Sequence, residues 1–141
     1  HMTGEMFALL RQHSVLGRLM PAENGSDEEA FAAGVNAARE HGELGLSHQL
    51  FAVRTLGLTE RMPRSALPDY LSGLLIGHEL RAGLQGQAVA PITLIGEPAL
   101  CERYAQALVL FDSGPVTLLP NTAAAGLWRI ARLAQLAQGI L

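Results

Sequence analysis

Gly96-Glu97-Pro98 is the place in this sequence where residue types and spacing suit the binding of a small molecule. It follows Ile92-Thr93-Leu94-Ile95, a short β-branched run bounded by Pro91 and Gly96, which reads as a buried strand of an α/β sheet. Pro98 stands where it can begin a helix, because its missing N–H would find no partner there and its fixed φ suits the first turn. The spacing therefore predicts strand, tight glycine turn and helix, with the helix running through Cys101 and Tyr104 to Leu108. Ligands of open α/β sheets settle at the carboxyl ends of strands, so this turn is the candidate binding site. A plain strand-to-helix connection without a ligand is the other reading of the same residues.

The chemistry such a site could carry is narrowed by what the chain lacks. All ten basic residues are Arg and none is Lys, so no Walker-type phosphate loop, Schiff-base lysine or lysine general base can be built. The five His residues show no ligand spacing, and His78 and Glu79, being adjacent, point in different directions, so no metal is assigned. Cys101 is the single cysteine; it cannot form an internal disulfide and is expected to pack as a small apolar residue on the helix after Pro98. No signal peptide or apolar run of spanning length is visible, which together with the cysteine count suggests a reducing cytoplasmic setting. A net charge of −3 and a pI near 5.9 give no electrostatic reason to expect nucleic acid or an acidic membrane as partner.

The elements that must position the site follow from periodicity. At 141 residues the chain holds enough apolar content for one real core. His1-Met2 reads as a cloning remnant. Thr3 is a candidate N-cap for a helix carrying Met6, Phe7, Leu9 and Leu10, Glu23-Asn24-Gly25 reads as a turn, and Ser26 with Glu29 matches a capping box. That box opens a helix of Ala30, Phe31, Gly34, Val35 and Ala38 ending near Gly42. Leu46–Leu58 settles on neither period cleanly, though Ser47 favours a short helix; Arg54 within it needs solvent or an acceptor, and a structural role is expected. From Tyr70 to Leu84 the apolar residues are dense enough for burial on more than one face, and Gly73 and Gly77, four apart, suit close approach of another helix. Gly114 to Pro120 predicts a second strand, and Asn121-Thr122 can cap a last helix through Leu127, Trp128, Ile130 and Leu133. Two strands alternating with helices are the βα repeat of a parallel sheet, yet two strands alone leave long unpaired edges, which suggests partners from another chain or from sequence not present here.

With these stretches in place, the sequence resembles the C-terminal part of the 2-dehydro-3-deoxygalactonokinase family. The likeness is carried by Thr3-Gly4-Glu5 with Phe7-Ala8-Leu9-Leu10 and His13-Ser14-Val15-Leu16-Gly17, by Leu50 to Leu56, by Tyr70 to Leu80, and by Leu94-Ile95-Gly96-Glu97-Pro98-Ala99-Leu100. The resemblance implies a helix-rich α/β fold, part of a ribonuclease-H-like domain of the actin/hexokinase/Hsp70 type with few strands. Residues 3–141 would then be a C-terminal kinase domain fragment whose N-terminal domain lies elsewhere. It further implies phosphorylation of 2-dehydro-3-deoxy-D-galactonate on its 6-hydroxyl with ATP and magnesium, and it makes Gly96, Glu97 and Pro98 the turn that contacts adenosine. The family's usual turn is a pair of glycines; here Glu97 holds the second place. No catalytic or substrate-binding residue is assigned, because the family's phosphate loop lies outside this chain, and the fragment alone is expected to be inactive. Two alternatives stand beside this reading: a non-catalytic helical interaction or regulatory module using the Gly73/Gly77 helix as its contact face, and a different sugar kinase of the same superfamily. The exposed strand edges also make a homo-oligomer conceivable.

Overall fold

The run from Tyr70 to Leu84 carries too many apolar residues for one helix face, and it forms the central helix of the first of two units in the computed structural model, which describes residues 2–22 and 26–134. His1 and the expected Glu23-Asn24-Gly25 turn lie outside the described residues. The first unit comprises the residues up to Ala88 with Ala107–Asp112, and the second comprises Val89–Gln106 with the residues from Ser113 onward.

The first unit is helical. Helices α1 (Thr3–His13), α2 (Glu28–His41) and α3 (Leu46–Leu58) gather around α4 (Leu67–Leu84), with single 3-10 turns at Gly17–Leu19 and Gly42–Leu44. The α2 residues Ala30, Phe31, Gly34, Val35 and Ala38 recur on one face at helical spacing, and all are buried. They meet α4, where Leu67, Leu71, Leu74 and Ile76 are almost completely buried. Half-buried Phe7 and Leu10 of α1 and Leu46, Leu50 and Leu56 of α3 close the core from the other sides. Helix α4 is thus buried on more than one face, as its composition requires.

Backbone proximity sets the α2–α4 contact. A Cβ added at Gly73 would collide with the Phe31 carbonyl, and one at Gly34 with the Tyr70 carbonyl. At Gly77 it would lie 2.7 Å from Ala38 Cβ. The four-residue glycine spacing therefore serves a helix, and that helix is α2.

None of the three expected capping residues, Ser26, Thr3 and Ser47, caps its helix. Asp27, not Ser26, caps α2: its Oδ1 accepts from the Ala30 N–H at 2.9 Å. Asp27 is held there because its own N–H donates to Oδ2 of buried Asp69 at 3.1 Å, and with Asp27 as the cap the third helical position falls to Ala30, so Glu29 no longer stands where a capping box needs it. Thr3 does not cap α1, since its hydroxyl donates to the Glu79 carboxylate of α4 instead. Helix α3 starts after Gly45, whose φ of 84° suits glycine, and Ser47 caps nothing. Arg54 donates to the Val15 carbonyl at 2.8 Å, a structural role, tying α3 to the loop after α1.

Gln49 is buried and joins three segments. Its Nε2 donates to the carbonyls of Ala37 at 2.8 Å and His41 at 3.2 Å, so its Oε1 is left to accept from His78 Nε2. That arrangement places the His78 proton on Nε2. Burial, then the nearby Arg81 cation, hold the His78 pKa below its ordinary value.

In the second unit the Pro-bounded run becomes β1 (Ile92–Gly96), Pro98 opens α5 (Pro98–Leu110), and β2 (Val116–Pro120) leads to α6 (Ala123–Leu133). The strands pair in parallel, Ile92 with Val116 through Gly96 with Pro120. This is a β-α-β crossover, the connection that parallel pairing demands. The expectation of a buried strand is corrected: β1 alternates half-buried Ile92, Leu94 and Gly96 with exposed Thr93 and Ile95. With one neighbouring strand, the described residues cover only one face.

Two outcomes follow for stability. Gly73→Ala must push α2 and α4 apart and is expected to cost about 3 kcal/mol, the upper end of overpacking penalties, whereas Gly83→Ala on α4, where an added Cβ meets nothing within 4 Å, should gain about 0.5–1 kcal/mol; urea midpoints of the two variants check both. For His78 the unfolded chain binds the proton at higher pH than the folded one, so its contribution is complete above its ordinary pKa and is lost as pH falls below it. His78→Gln should flatten the stability profile between about pH 7 and pH 5 relative to the parent chain, as read by thermal unfolding across that range.

Candidate ligand-binding turn

Parallel register decides the neighbourhood of Gly96. Because Gly96 is paired with Pro120, the turn after β1 and the turn after β2 emerge side by side at the carboxyl end of the sheet. Gly96-Glu97-Pro98 is thereby brought beside Pro120-Asn121-Thr122 and the start of α6, where Ala124, Ala125 and Gly126 are exposed. A Cβ added at Gly126 would meet nothing within 4 Å.

Two glycines of this unit show why Gly96 is informative. Gly114 is required by packing, since a Cβ there would collide with the Ala90 carbonyl. Gly96 is not: its φ is outside the left-handed region, and an added Cβ would make ordinary contact with Cys101 Sγ at 3.4 Å. Neither turn geometry nor packing among the described residues asks for glycine at that position. The bare backbone remains open to close approach by something else.

Glu97 does two things at the head of α5. Its carbonyl accepts from the Cys101 N–H at 3.0 Å, and its Oε2 accepts from the Leu100 N–H at 2.9 Å. The residue standing where a second glycine was expected is thus the helix cap. A carboxylate already takes the Leu100 N–H at this helix start, and its negative charge disfavours a phosphoryl group there. Pro98 occupies the first helical position, as its chemistry predicts.

Asn121 caps the last helix and also stands beside the Gly96 turn. Its Oδ1 accepts from the Ala123 N–H at 2.9 Å, while Thr122, at the N-cap position, makes no side-chain cap bond. The Asn121 amide group keeps two donors and is exposed beside the Gly96 turn. The signal was present as a polar residue ending the second strand, but only the register shows that the two strand ends are neighbours. Cys101 is buried, as expected of a small apolar side chain on α5. His78 and Glu79 point to different partners, Gln49 and Thr3, and among the described residues no three His, Cys, Asp or Glu side chains gather as a metal site. Nor is any helix among those residues long and apolar enough to cross a membrane.

A parallel β-α-β pair with its strand-to-helix turns side by side defines the class: an α/β protein with its candidate site at the carboxyl end of the sheet. A family model described as 2-keto-3-deoxy-galactonokinase matches residues 1–130, and the chain belongs to that family. It is 37% identical over 125 residues to the 2-dehydro-3-deoxygalactonokinase of Escherichia coli (strain K12), covering 86% of this chain and 41% of that protein. It is also similar to the crystal structure of a Sinorhizobium meliloti protein assigned as a 2-dehydro-3-deoxygalactonokinase, with a TM-score of 0.80 and 28% identity over 95% of this chain and 46% of that one. The chain therefore spans less than half the length of either relative.

If Gly96 is spared by the fold, Gly96→Ala should leave the melting temperature unchanged or slightly raised, while Gly114→Ala lowers it clearly. Glu97→Ala should cost about 1 kcal/mol through loss of the cap. Differential scanning calorimetry of the three variants provides the check.

Proposed function

We propose that this chain is the nucleotide-side, C-terminal part of a cytoplasmic kinase that phosphorylates 2-dehydro-3-deoxy-D-galactonate on its 6-hydroxyl at the expense of ATP. The observation that carries the proposal is the family match over residues 1–130, joined by a relative of that named activity. The helix-rich α/β architecture with a parallel strand pair is what a partial ribonuclease-H-like domain of the actin-like kinases would contribute. In this reading the N-terminal domain, with the phosphate loop and most contacts to the sugar acid, belongs to the part of the kinase that this chain does not span.

Phosphoryl transfer is achieved by positioning and charge stabilisation, with the acceptor oxygen attacking the γ-phosphorus, ADP departing and the hydroxyl proton passing to a base. The residues of this chain take the positioning share. Gly96 admits the adenosine moiety close to the backbone, Glu97 and Pro98 hold the turn in shape, and Glu97 directs phosphates away from the α5 terminus. Magnesium would be held with the phosphates by groups outside this chain. The fragment alone is therefore inactive.

The helical-module alternative loses its contact face, because Gly73 and Gly77 are already occupied by α2. A different sugar kinase of the same superfamily is separated by substrate profiling of an intact protein.

Calorimetric titration with MgATP and MgADP tests the proposal. Saturable binding to this chain that Gly96→Val abolishes is the expected result. Gly96→Val in an intact kinase assembled from this chain and the remainder of the Escherichia coli relative should raise the KM for ATP with little change in the KM for the sugar acid. Nucleotide binding by neither the chain nor the intact kinase would overturn the proposal.

A further inference from the structure

At the carboxyl end of the sheet the second unit presents bare backbone. Gly96 ends β1 with only an ordinary contact awaiting an added Cβ, and Gly126 near the start of α6 has open space there. Glu97 uses one carboxylate oxygen on the Leu100 N–H. Asn121 stands apart from these. It follows Pro120, the partner of Gly96 in the parallel register, and it is exposed. Its Oδ1 accepts from the Ala123 N–H at 2.9 Å, closing an Asx turn that the amide nitrogen could not close. That bond decides which end of the carboxamide is nitrogen and holds the side chain against its own backbone. Nδ2 is left with both of its N–H donors, and they reach no acceptor among the described residues.

We infer that Asn121 is a nucleotide-reading residue, its Nδ2 donating to an uncharged acceptor of the adenosine moiety, either a ring nitrogen of the base or a ribose hydroxyl oxygen. The inference rests on the adenosine reading of Gly96 and assigns the polar contact that reading lacks. Backbone free of side chains lets a ring approach but gives little preference among rings. Orientation and specificity in a small-molecule site come from a few placed polar groups. Asn121 neighbours the Gly96 turn through strand register, and its bond to the Ala123 N–H holds it before any ligand arrives, so little side-chain freedom is lost on binding. Its Nδ2 donors still lack an acceptor. Phosphate oxygens are acceptors too, but the Glu97 carboxylate on the adjoining turn repels them.

Asn121→Asp and Asn121→Ser both keep an oxygen for the Ala123 N–H, so the start of α6 is preserved while the amide donors are lost, in the serine variant without added charge. In the intact kinase that carries this chain both variants should melt at the parent's temperature. Asn121→Ser should weaken MgADP binding by calorimetry, and raise the KM for ATP, roughly fivefold, as for one lost hydrogen bond, with kcat and the KM for the sugar acid unchanged. A side chain that only shaped the helix start would leave nucleotide binding as it was. Analogues locate the acceptor. The penalty of Asn121→Ser should vanish for an ATP analogue with carbon in place of the bonded ring nitrogen, or for 2′-deoxy-ATP or 3′-deoxy-ATP if the bond goes to that hydroxyl. Parental nucleotide binding by Asn121→Ser overturns the inference, and weakening confined to Asn121→Asp, which reports its added charge, does so too. A penalty undiminished in every analogue has the same meaning. Gly96→Val is measured alongside. Weakening by the valine with none from Asn121→Ser overturns this inference alone, weakening by neither overturns the adenosine reading with it, and weakening by Asn121→Ser alone overturns the reading of Gly96 while the Asn121 contact stands.

Discussion

The contact between α2 and α4 is the constraint on which the first unit depends. Gly34 lies against the Tyr70 carbonyl and Gly73 against the Phe31 carbonyl, so the two helices approach backbone to backbone with no side chain between them. Such proximity buries Phe31, Val35 and Ala38 of α2 along with Leu71, Leu74 and Leu75 of α4, while α1 and α3 also pack on α4. Glycine in a helix weakens it by roughly 1 kcal/mol per residue. Here that cost is offset by close packing that any larger residue would forbid.

Polar groups then pin the register that the glycines permit. Asp69, buried at the start of α4, takes the N–H of Asp27, whose own carboxylate caps α2; one end of the helix pair is thus tied through two carboxylates in series. Further along, Gln49 of α3 reaches two carbonyls at the end of α2 and meets His78 of α4. Arg81 donates to the carbonyls of Ala38, at 3.3 Å, and Arg39, at 3.1 Å, near the same helix end. The bonds to Ala30 N–H and to the carbonyls of Ala38, Arg39 and His41 satisfy backbone groups that a helix terminus leaves without intrahelical partners. The result is a bundle in which apolar burial supplies the stability and a few directional bonds choose among the rotations that burial alone would allow.

The second unit differs in kind. Its core is thin, with Cys101 its one buried side chain among the described residues, and its strands and last helix keep much apolar surface in solvent. Yet its local geometry is well specified: Gly114 is fitted against Ala90, Pro98 opens α5, and Glu97 and Asn121 each hold a helix N–H. Local rules of turn and cap are complete where global burial is not.

Much of this was legible in the residues. The β1 strand, the Pro98 helix start, the second parallel strand, the dense burial of α4 and the structural role of Arg54 all follow from local chemistry, because proline, glycine and apolar period act over a few residues. The caps were not legible: Ser26 and Thr3 had the right types, but Asp69, distant in sequence, holds Asp27 in place as the cap of α2, and Glu79 engages the Thr3 hydroxyl. The spacing of Gly73 and Gly77 did point to helix packing, but Gly34, Gly96 and Gly114 could not be told apart by type, since only their neighbours show whether a Cβ would collide. By itself the sequence determined the elements, their order, the packing role of the Gly73/Gly77 spacing and the turn where a ligand is expected; the tertiary structure alone decided which helix meets that spacing, what Gly34 and Gly114 pack against, which acid caps which helix, and that Asn121 stands beside Gly96. The reason is that propensity is a property of a few consecutive residues, whereas steric fit and hydrogen-bond competition exist only once distant segments meet.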